Sequence, residues 1–289
     1  NKSHNNGLIE YTLIDPDGKK VWEKMQKISL SAGKAVKNSV LPNVQKWTAE
    51  NPLLYKLEVT YLQNNKVTER IEQFLGFRKV EIKDRALLVN GRVTKLRGAC
   101  RHDIHPLLGR STNRQQDSID VVLAKEANMN FIRTSHYPPS SDFLEFCNKY
   151  GIYVQEETAV CFVSKTARHK IYKKDGPSQD NPAYTSKYIG QLSEMIDHDR
   201  NHPSIVMWSI GNESTYGINF QKEYDFVKAV DLSRPVSWAW TKTAIDSGKR
   251  CFDIAVAHYP DYKGEKNDLG GFIKGFEHKD YPVLSDEWA

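Results

Sequence analysis

Apolar and polar residues alternate with a period of two along the first part of the chain, which is the pattern of half-buried strands. The alternation runs through residues 8–15, breaks at the turn signal Pro16-Asp17-Gly18, and resumes at residues 20–23. Further strand candidates are residues 27–31, 55–61 and 70–74. Because no helical period occurs before about residue 82, residues 1–82 are predicted to form most of a small β-sandwich.

From residue 83 the pattern changes to short apolar runs that alternate with helical periods. The strand candidates are residues 93–100, 131–135, 152–157, 205–211, 236–241, 254–258 and 283–286, and the helix candidates are residues 118–128, 142–150, 184–200 and 220–230. This repeat predicts an α/β fold with a parallel sheet. Seven strands fit a (β/α)8 TIM barrel over residues 83–289 that is incomplete at its C-terminal end. A doubly wound sheet is the alternative, and the barrel is favoured because polar residues follow strand after strand without a glycine-rich nucleotide loop.

Length and composition describe one large globular domain, or one large and one small, in 289 residues. The chain is 39% hydrophobic and 27% charged, and no apolar run reaches the roughly 18–20 residues that cross a bilayer, so no membrane partner is expected. The net charge of +5 comes from basic residues scattered among acidic ones, which argues against a nucleic-acid partner. The four cysteines show neither CxxC pairs nor zinc-ligand spacing.

The most informative segment is residues 199–213, where a polar helix end leads into the apolar residues 205–209 and then into Gly211-Asn212-Glu213. A buried parallel strand that carries a carboxyl group to the rim of a barrel has this form. The last predicted strand brings a second carboxyl group, Glu287, to the same rim, with Asp286 as an adjacent competitor. Paired carboxyl groups among Arg, His, Asn, Tyr and Trp side chains suit glycosidic bond cleavage, in which one acts as acid and the other as nucleophile or base.

The same residues could also have purely structural roles. A lone Glu213 could be a helix cap or an ion-pair partner, and Arg133 could pair with an acidic neighbour. His102 and His136 could be core histidines. Two further acidic residues, Glu156 and Glu157, end the third barrel strand, but neighbouring strand residues face opposite sides and cannot act together on one bond. Neither of these two is included among the predicted site residues.

Two signature stretches carry a resemblance to a known family. Residues 130–138, continuing to 150–154, form one, and residues 199–213 form the other. They resemble glycoside hydrolase family 2, and within it the β-galactosidases. Residues 51–55, 76–80, 88–91 and 97–98 are similar to the end of the family's Ig-like domain and its junction with the barrel. The resemblance implies an Ig-like sandwich over residues 1–82, lacking its beginning, followed by the catalytic barrel.

The resemblance also implies a retaining double displacement. Glu213 would protonate the glycosidic oxygen and later deprotonate water, while Glu287 would attack the anomeric carbon. Asn212 would hold the sugar 2-hydroxyl, Arg133 and Tyr259 would hydrogen-bond Glu287, and His102 and His136 would contact sugar hydroxyls. Trp288 is a candidate sugar platform, with packing as an equal alternative.

The expected substrates are β-linked oligosaccharides or fragments of polysaccharides with terminal non-reducing β-D-galactosides, because residues 101–106 and Gly109-Arg110 resemble the galactosidase branch. A β-glucuronidase or another β-glycosidase of the same family is the first alternative, and Arg101 or Arg110 could supply the cation that a glucuronide carboxylate needs. A non-catalytic carbohydrate-binding protein on a decayed hydrolase scaffold is the second. Family members often form dimers or tetramers, so a homo-oligomer is a further expectation.

Three departures from the family pattern bear on activity. The family's magnesium ligands, a Glu and a His just past the third strand, are absent from residues 158–163, so we expect no required metal or other cofactor. No jelly-roll domain precedes residue 1, and the sequence stops at Ala289 without an eighth strand. Because an open barrel leaves an unpaired edge, we expect these 289 residues to be a fragment, or the ordered part, of a larger protein and to have little or no activity alone.

Overall fold

A computed structural model describes residues 6–29, 39–41, 43–163, 178–259 and 280–287. The chain divides into two compact units, Asn1–Arg78 and Lys79–Ala289. Within the described ranges no helix has the length and apolar character needed to cross a membrane.

The first unit contains a four-stranded antiparallel sheet in the order β2-β1-β3-β4. Its strands are β1 (Asn6–Ile14), β2 (Lys20–Ser29), β3 (Tyr55–Gln63) and β4 (Lys66–Leu75). The predicted strands 20–23 and 27–31 belong to the single strand β2, because no turn residue interrupts the alternation between them. Trp47 is fully buried, and its backbone N–H donates to the carbonyl of Phe77.

The second unit opens with a small antiparallel sheet of β5 (Val80–Lys83), β6 (Ala86–Val89) and β7 (Arg92–Val93). Asn90 and Gly91 both adopt positive φ angles, which forms the tight turn that pairs Val93 with Leu88. The predicted strand 93–100 is therefore two elements, since Val93 belongs to this hairpin and the first barrel strand begins only at Gly98.

Seven parallel strands form the main sheet of the second unit, in the order β14-β13-β12-β11-β10-β9-β8. They are β8 (Gly98–Arg101), β9 (Phe131–Thr134), β10 (Tyr153–Glu157), β11 (Ile205–Ser209), β12 (Val236–Trp238), β13 (Ile254–His258) and β14 (Val283–Glu287). The helices are α1 (Arg114–Glu126), α2 (Ser141–Tyr150), α3 (Thr185–Asp199), α4 (Ile218–Val230) and α5 (Thr241–Asp246). Strands that neighbour one another in strict chain order are those of a barrel, whereas a doubly wound sheet reverses its order. The predicted fold class is confirmed.

The two end strands of this sheet approach one another, so the barrel is nearly closed. The Cys100 thiol on β8 donates to the carbonyl of Asp286 on β14 at 3.0 Å. A cavity of about 630 Å³ lies between these strands and is lined by residues of both. All residues of β10, β11 and β13 are buried, because helices cover their outer side and side chains fill the interior. The carboxyl ends of the strands consequently meet at one rim.

Candidate active site

The structure brings the two predicted carboxyl groups together at this rim. Glu213 lies four residues beyond β11, after a turn at Gly211 with φ of +143°. A side chain at Gly211 would meet the Val160 carbonyl at 2.8 Å, so the turn requires glycine. One carboxylate oxygen of Glu213 and one of Glu287 lie within 4.8 Å of each other. Both side chains are partly exposed, at 18% and 13%.

A bulge at the end of β14 turns two consecutive acids toward the barrel interior. Ala257 pairs with Ser285 and His258 pairs with Glu287, which leaves Asp286 as the extra residue. Asp286 is completely buried and accepts a hydrogen bond from Gln155 Nε2 at 2.8 Å. Of the two acids, only Glu287 is therefore open to the mouth of the barrel.

His258, the last residue of β13, lies between three carboxyl groups. Its Nδ1 lies 2.7 Å from Glu287 Oε2 and 3.4 Å from Glu213 Oε1, and its Nε2 lies 3.1 Å from Asp286 Oδ1. Burial opposes a charge on the ring, but contacts with Asp286 and Glu287 raise the pKa of His258 to about 9. His258 is therefore an imidazolium at neutral pH. The sequence signal for it was only its place at a strand end, and it was not among the predicted site residues.

Arg133 is the second cation of the site, and it is fully buried. Its Nη2 donates to Glu157 Oε2 at 2.7 Å and to Asn212 Oδ1 at 2.8 Å, and its Nε donates to the same Glu157 oxygen at 3.0 Å. Glu287, the partner implied by the resemblance, lies at the longer ion-pair distance of 3.6 Å. Because Arg133 has no exposed surface, it acts on a substrate only through the residues that it holds.

Glu157 joins the site although it was not among the predicted residues. It accepts hydrogen bonds from Arg133 and from Ser209 Oγ at 2.7 Å, and its other oxygen lies 2.8 Å from His136 Nδ1. Glu156 does face the opposite side of β10, where burial and nearby Asp199 raise its pKa well above the ordinary value. The strand alternation that separates the two residues also predicts that one of them faces the barrel interior. This alternation was the sequence feature that could have identified an acid of β10 as a site residue.

The remaining predicted residues surround this centre. Asn212 is buried, and its Nδ2 lies 3.3 Å from His136 Nε2, while the same His136 nitrogen lies 3.9 Å from Glu287 Oε1. His102 is exposed at the rim with its ring 5.2 Å from that of His136. Partial burial, with Glu287 and Glu213 nearby, raises the pKa of Tyr259 to about 12, so its phenol keeps its proton. Trp288 lies outside the described residues.

The surroundings of Glu287 hold it as a carboxylate. Burial alone would raise its pKa, but His258, then Arg133 and a hydrogen bond from Tyr259 outweigh burial and lower it to about 2. Among the described residues, the hydrogen-bonding partner of the Glu213 carboxyl group is His258 Nδ1, at the longer distance of 3.4 Å. One member of the pair, Glu287, is thus fixed as an anion.

Two family models match this chain. The family model described as "Glycosyl hydrolases family 2, TIM barrel domain" matches residues 80–289, and the one described as "Glycosyl hydrolases family 2" matches residues 1–78. The chain belongs to glycosyl hydrolase family 2.

Among family 2 relatives, the chain is 34% identical over 236 residues to β-galactosidase BgaC of Bifidobacterium adolescentis, which covers 80% of this chain and 22% of that protein. It is 35% identical over 287 residues to the β-galactosidase of Priestia megaterium, covering 96% of this chain and 26% of the relative. The chain thus spans about a quarter of the length of these relatives.

Two solved β-glucuronidase structures, from Parabacteroides merdae and Dictyoglomus thermophilum, superpose with TM-scores of 0.79 and 0.80. Both are 21% identical and cover 98% of this chain, against 35% and 52% of theirs. At this identity the likeness shows the fold alone.

The stretch that follows β10 does not fit a magnesium ion. At residues 158–163 the only candidate ligand side chain besides a threonine is Cys161, whose thiol accepts a hydrogen bond from Asn212 Nδ2 at 3.3 Å. Burial raises the pKa of Cys161 to about 11, and a protonated thiol is a poor ligand for a hard cation. Elsewhere in the described part of the chain, Glu213, His258 and Glu287 are close enough to hold a metal ion, but both ring nitrogens of His258 already face carboxylates.

Proposed function

We propose that this chain carries both catalytic carboxyl groups of a retaining exo-β-glycosidase that acts on terminal non-reducing β-D-galactosides. The observation that carries the proposal is the approach of a Glu213 oxygen and a Glu287 oxygen within 4.8 Å. Retaining glycosidases place their two carboxyl groups roughly 5–5.5 Å apart, whereas inverting enzymes leave about 6.5–9.5 Å for a water molecule.

In the first step, the Glu287 carboxylate attacks the anomeric carbon while the glycosidic C–O bond breaks. Glu213 gives its proton to the departing oxygen and becomes a carboxylate. The attacking group must be ionised at neutral pH, and the low pKa of Glu287, about 2, meets this requirement. The product is a glycosyl ester on Glu287 and a free alcohol.

In the second step, Glu213 acts as a base. Its carboxylate takes a proton from a water molecule whose oxygen attacks the anomeric carbon, and the ester bond to Glu287 breaks. The sugar leaves with its original anomeric configuration, and both side chains return to their starting states. Two inversions at one carbon give this net retention.

The pairing of Arg101 with acidic residues favours galactose over glucuronic acid as the substrate sugar. Its guanidinium is paired with Asp103, Asp117 and Asp120, and its side chain is 9% exposed. A cation that three carboxylates already neutralise is a poor receptor for a substrate carboxylate. The β-galactosidase relatives support the same sugar. The exposed Arg110 stays a candidate for binding the carboxylate of a glucuronide.

A binding-only role on a decayed scaffold is the weaker candidate. Against it, Glu287 lies within ion-pair distance of His258 and Arg133 and close to Glu213, an arrangement that suits two-step hydrolysis. A site that only bound sugar would not need a fully buried cation directed at a network of acids.

The test is a panel of aryl β-galactoside, glucuronide, mannoside, glucoside and fucoside on the full-length protein, with Glu287→Gln and Glu213→Gln beside it. We expect galactoside turnover that Glu287→Gln abolishes. Glu213→Gln should lose most activity on substrates with poor leaving groups, which need protonation, and least on dinitrophenyl substrates. Turnover of glucuronide alone would overturn the sugar assignment, and sugar binding without any turnover would support the binding-only role.

A further inference from the structure

The position of His258 between the acids is not explained by the two-carboxylate mechanism alone. Its Nδ1 is shared between Glu287 at 2.7 Å and Glu213 at 3.4 Å, while its Nε2 faces Asp286 at 3.1 Å. The ring is 5% exposed, so solvent does not replace these contacts. Both ring nitrogens therefore lie within ion-pair distance of carboxylate oxygens, and Nε2 also lies 3.5 Å from Arg133 Nη1.

The charges around the site show why such a cation is needed. Within the part of the chain that the structure describes, Arg133 is the other cation of the site, and its shortest contacts go to Glu157 rather than to Asp286 or Glu287, which both lie 3.6 Å away. Without His258, two adjacent carboxylates would share the weaker contacts of an arginine that is already paired. Like charges this close disfavour ionisation of one of them. His258 lies beside both.

The proposed reaction moves a negative charge within reach of the same nitrogen. Before the first step, the charge is on Glu287. When the ester forms, Glu287 becomes neutral and Glu213, having given up its proton, carries the charge. The second step returns it. The two positions of the charge lie 2.7 Å and 3.4 Å from His258 Nδ1, so neither step leaves the cation without a partner.

We propose that His258, anchored by Asp286, is a positioning residue that holds whichever of the two catalytic carboxyl groups is ionised, Glu287 before and Glu213 after the glycosyl-enzyme forms. The inference rests on the proposed function. In this proposal His258 is a fixed cation beside the two catalytic carboxyl groups. The buried Asp286 stabilises the charged ring and fixes its orientation.

The test compares three variants of the full-length protein, His258→Gln, His258→Lys and His198→Gln, through the pH dependence of kcat/KM on an aryl β-galactoside. Among the residues that the structure describes, the charged or titratable groups that face His258 are Asp286, Glu287, Glu213, Arg133 and Tyr259, and all remain in each variant. Removing the cation raises the pKa of Glu287, so the acidic limb of His258→Gln should move up by about 1–3 pH units. His258→Lys keeps a cation and should shift it less.

His198→Gln is the matched control. His198 also lies 2.7 Å from an aspartate, Asp199, but its side chain is 66% exposed and belongs to α3 outside the site. Its pH profile should match the wild type. Assays are kept short, and activity is measured again after return to neutral pH, so that unfolding is separated from titration.

The results distinguish failure of the proposed role of His258 from failure of the proposed function. An unshifted acidic limb in His258→Gln, with Glu287→Gln inactive in the same series, would overturn the role of His258 and leave the proposed function standing. Activity in Glu287→Gln would overturn the proposed function itself. If His258→Gln does not yield folded protein, His258→Asn makes the same neutral change with a smaller side chain, and the same two results decide.

Discussion

Replacement of Glu157 by glutamine removes the ionic partner of a fully buried arginine. Arg133 and Glu157 are both 0% exposed, and two hydrogen bonds from the guanidinium end on one Glu157 oxygen. Loss of one member of a buried ion pair typically costs about 3–5 kcal/mol of unfolding free energy, because the other charge stays buried without compensation. Asp286 and Glu287 remain 3.6 Å from Arg133 and offset part of this, so we expect the lower end, about 3 kcal/mol.

The neighbouring residue provides a matched control. Glu156 is equally buried, but burial and Asp199 raise its pKa well above the ordinary value, which favours the neutral acid. An amide replaces a neutral acid with nearly the same shape and hydrogen-bonding groups, and Glu156→Gln should therefore cost about 1 kcal/mol or less. The same substitution at adjacent positions should thus lower the free energy of unfolding by clearly different amounts.

The assay is calorimetry of both variants in the full-length protein at one scan rate, with kcat and KM for an aryl galactoside. For a domain of this size, 1 kcal/mol shifts Tm by about 2–4 °C, so Glu157→Gln should lower the Tm of the barrel transition by about 6–12 °C. It should also reduce kcat, because Glu157 fixes Arg133 and His136. Equal Tm values for the two variants would refute the assignment of Glu157 as the principal partner of Arg133.

Three further predictions concern Asp231, Asp286 and the stretch that follows β10. Although burial opposes its ionisation, Arg234, Ser233 and Trp208 lower the pKa of Asp231 to about 2. Its stabilisation of about 2 kcal/mol is present above pH ~4 and is lost as pH falls toward 2, so Asp231→Asn should lower Tm more at pH ~7 than at pH ~3. Asp286→Asn removes a carboxylate that raises the pKa of His258, so the imidazolium should lose its proton at a lower pH. The alkaline limb of the pH profile of kcat/KM should therefore move to lower pH than in the wild type, and an unchanged alkaline limb would contradict this. Dialysis against a chelator should leave turnover within about two-fold, since the stretch after β10 offers no hard-cation site, and a loss restored by magnesium would contradict this.

Much of the barrel could be predicted from the sequence because buried parallel strands are short apolar runs between helical periods. The bounds of β13 are those predicted, residues 254–258. The predicted strand 236–241 ends early, at Trp238, because Trp240 adopts a left-handed backbone with φ of +63°. The six-residue helix α5 that follows was not predicted, since one and a half turns are too short to show a helical period.

The candidate site was predictable in part. The approach of Glu213 and Glu287 follows from the rule that strand ends of a barrel converge. The inward turn of both Asp286 and Glu287 depends on a bulge, which sequence alternation does not reveal. The place of His258 depends on the same register shift. The partner of Arg133 could not be chosen from sequence either, since three acids on two strands, Glu157, Asp286 and Glu287, lie near it and only the side-chain geometry selects Glu157.

The central claim is that Glu287, and not its neighbour Asp286, forms the covalent bond to the sugar. The most direct measurement is to trap the full-length protein with a 2-deoxy-2-fluoro-β-galactosyl fluoride, which slows the second step, and to map the labelled residue by tandem mass spectrometry. The account predicts a fluorogalactosyl ester on Glu287 that is absent from Glu287→Gln and still formed by Glu156→Gln. A label on Asp286 or Glu213, or inactivation without any covalent label, would contradict it.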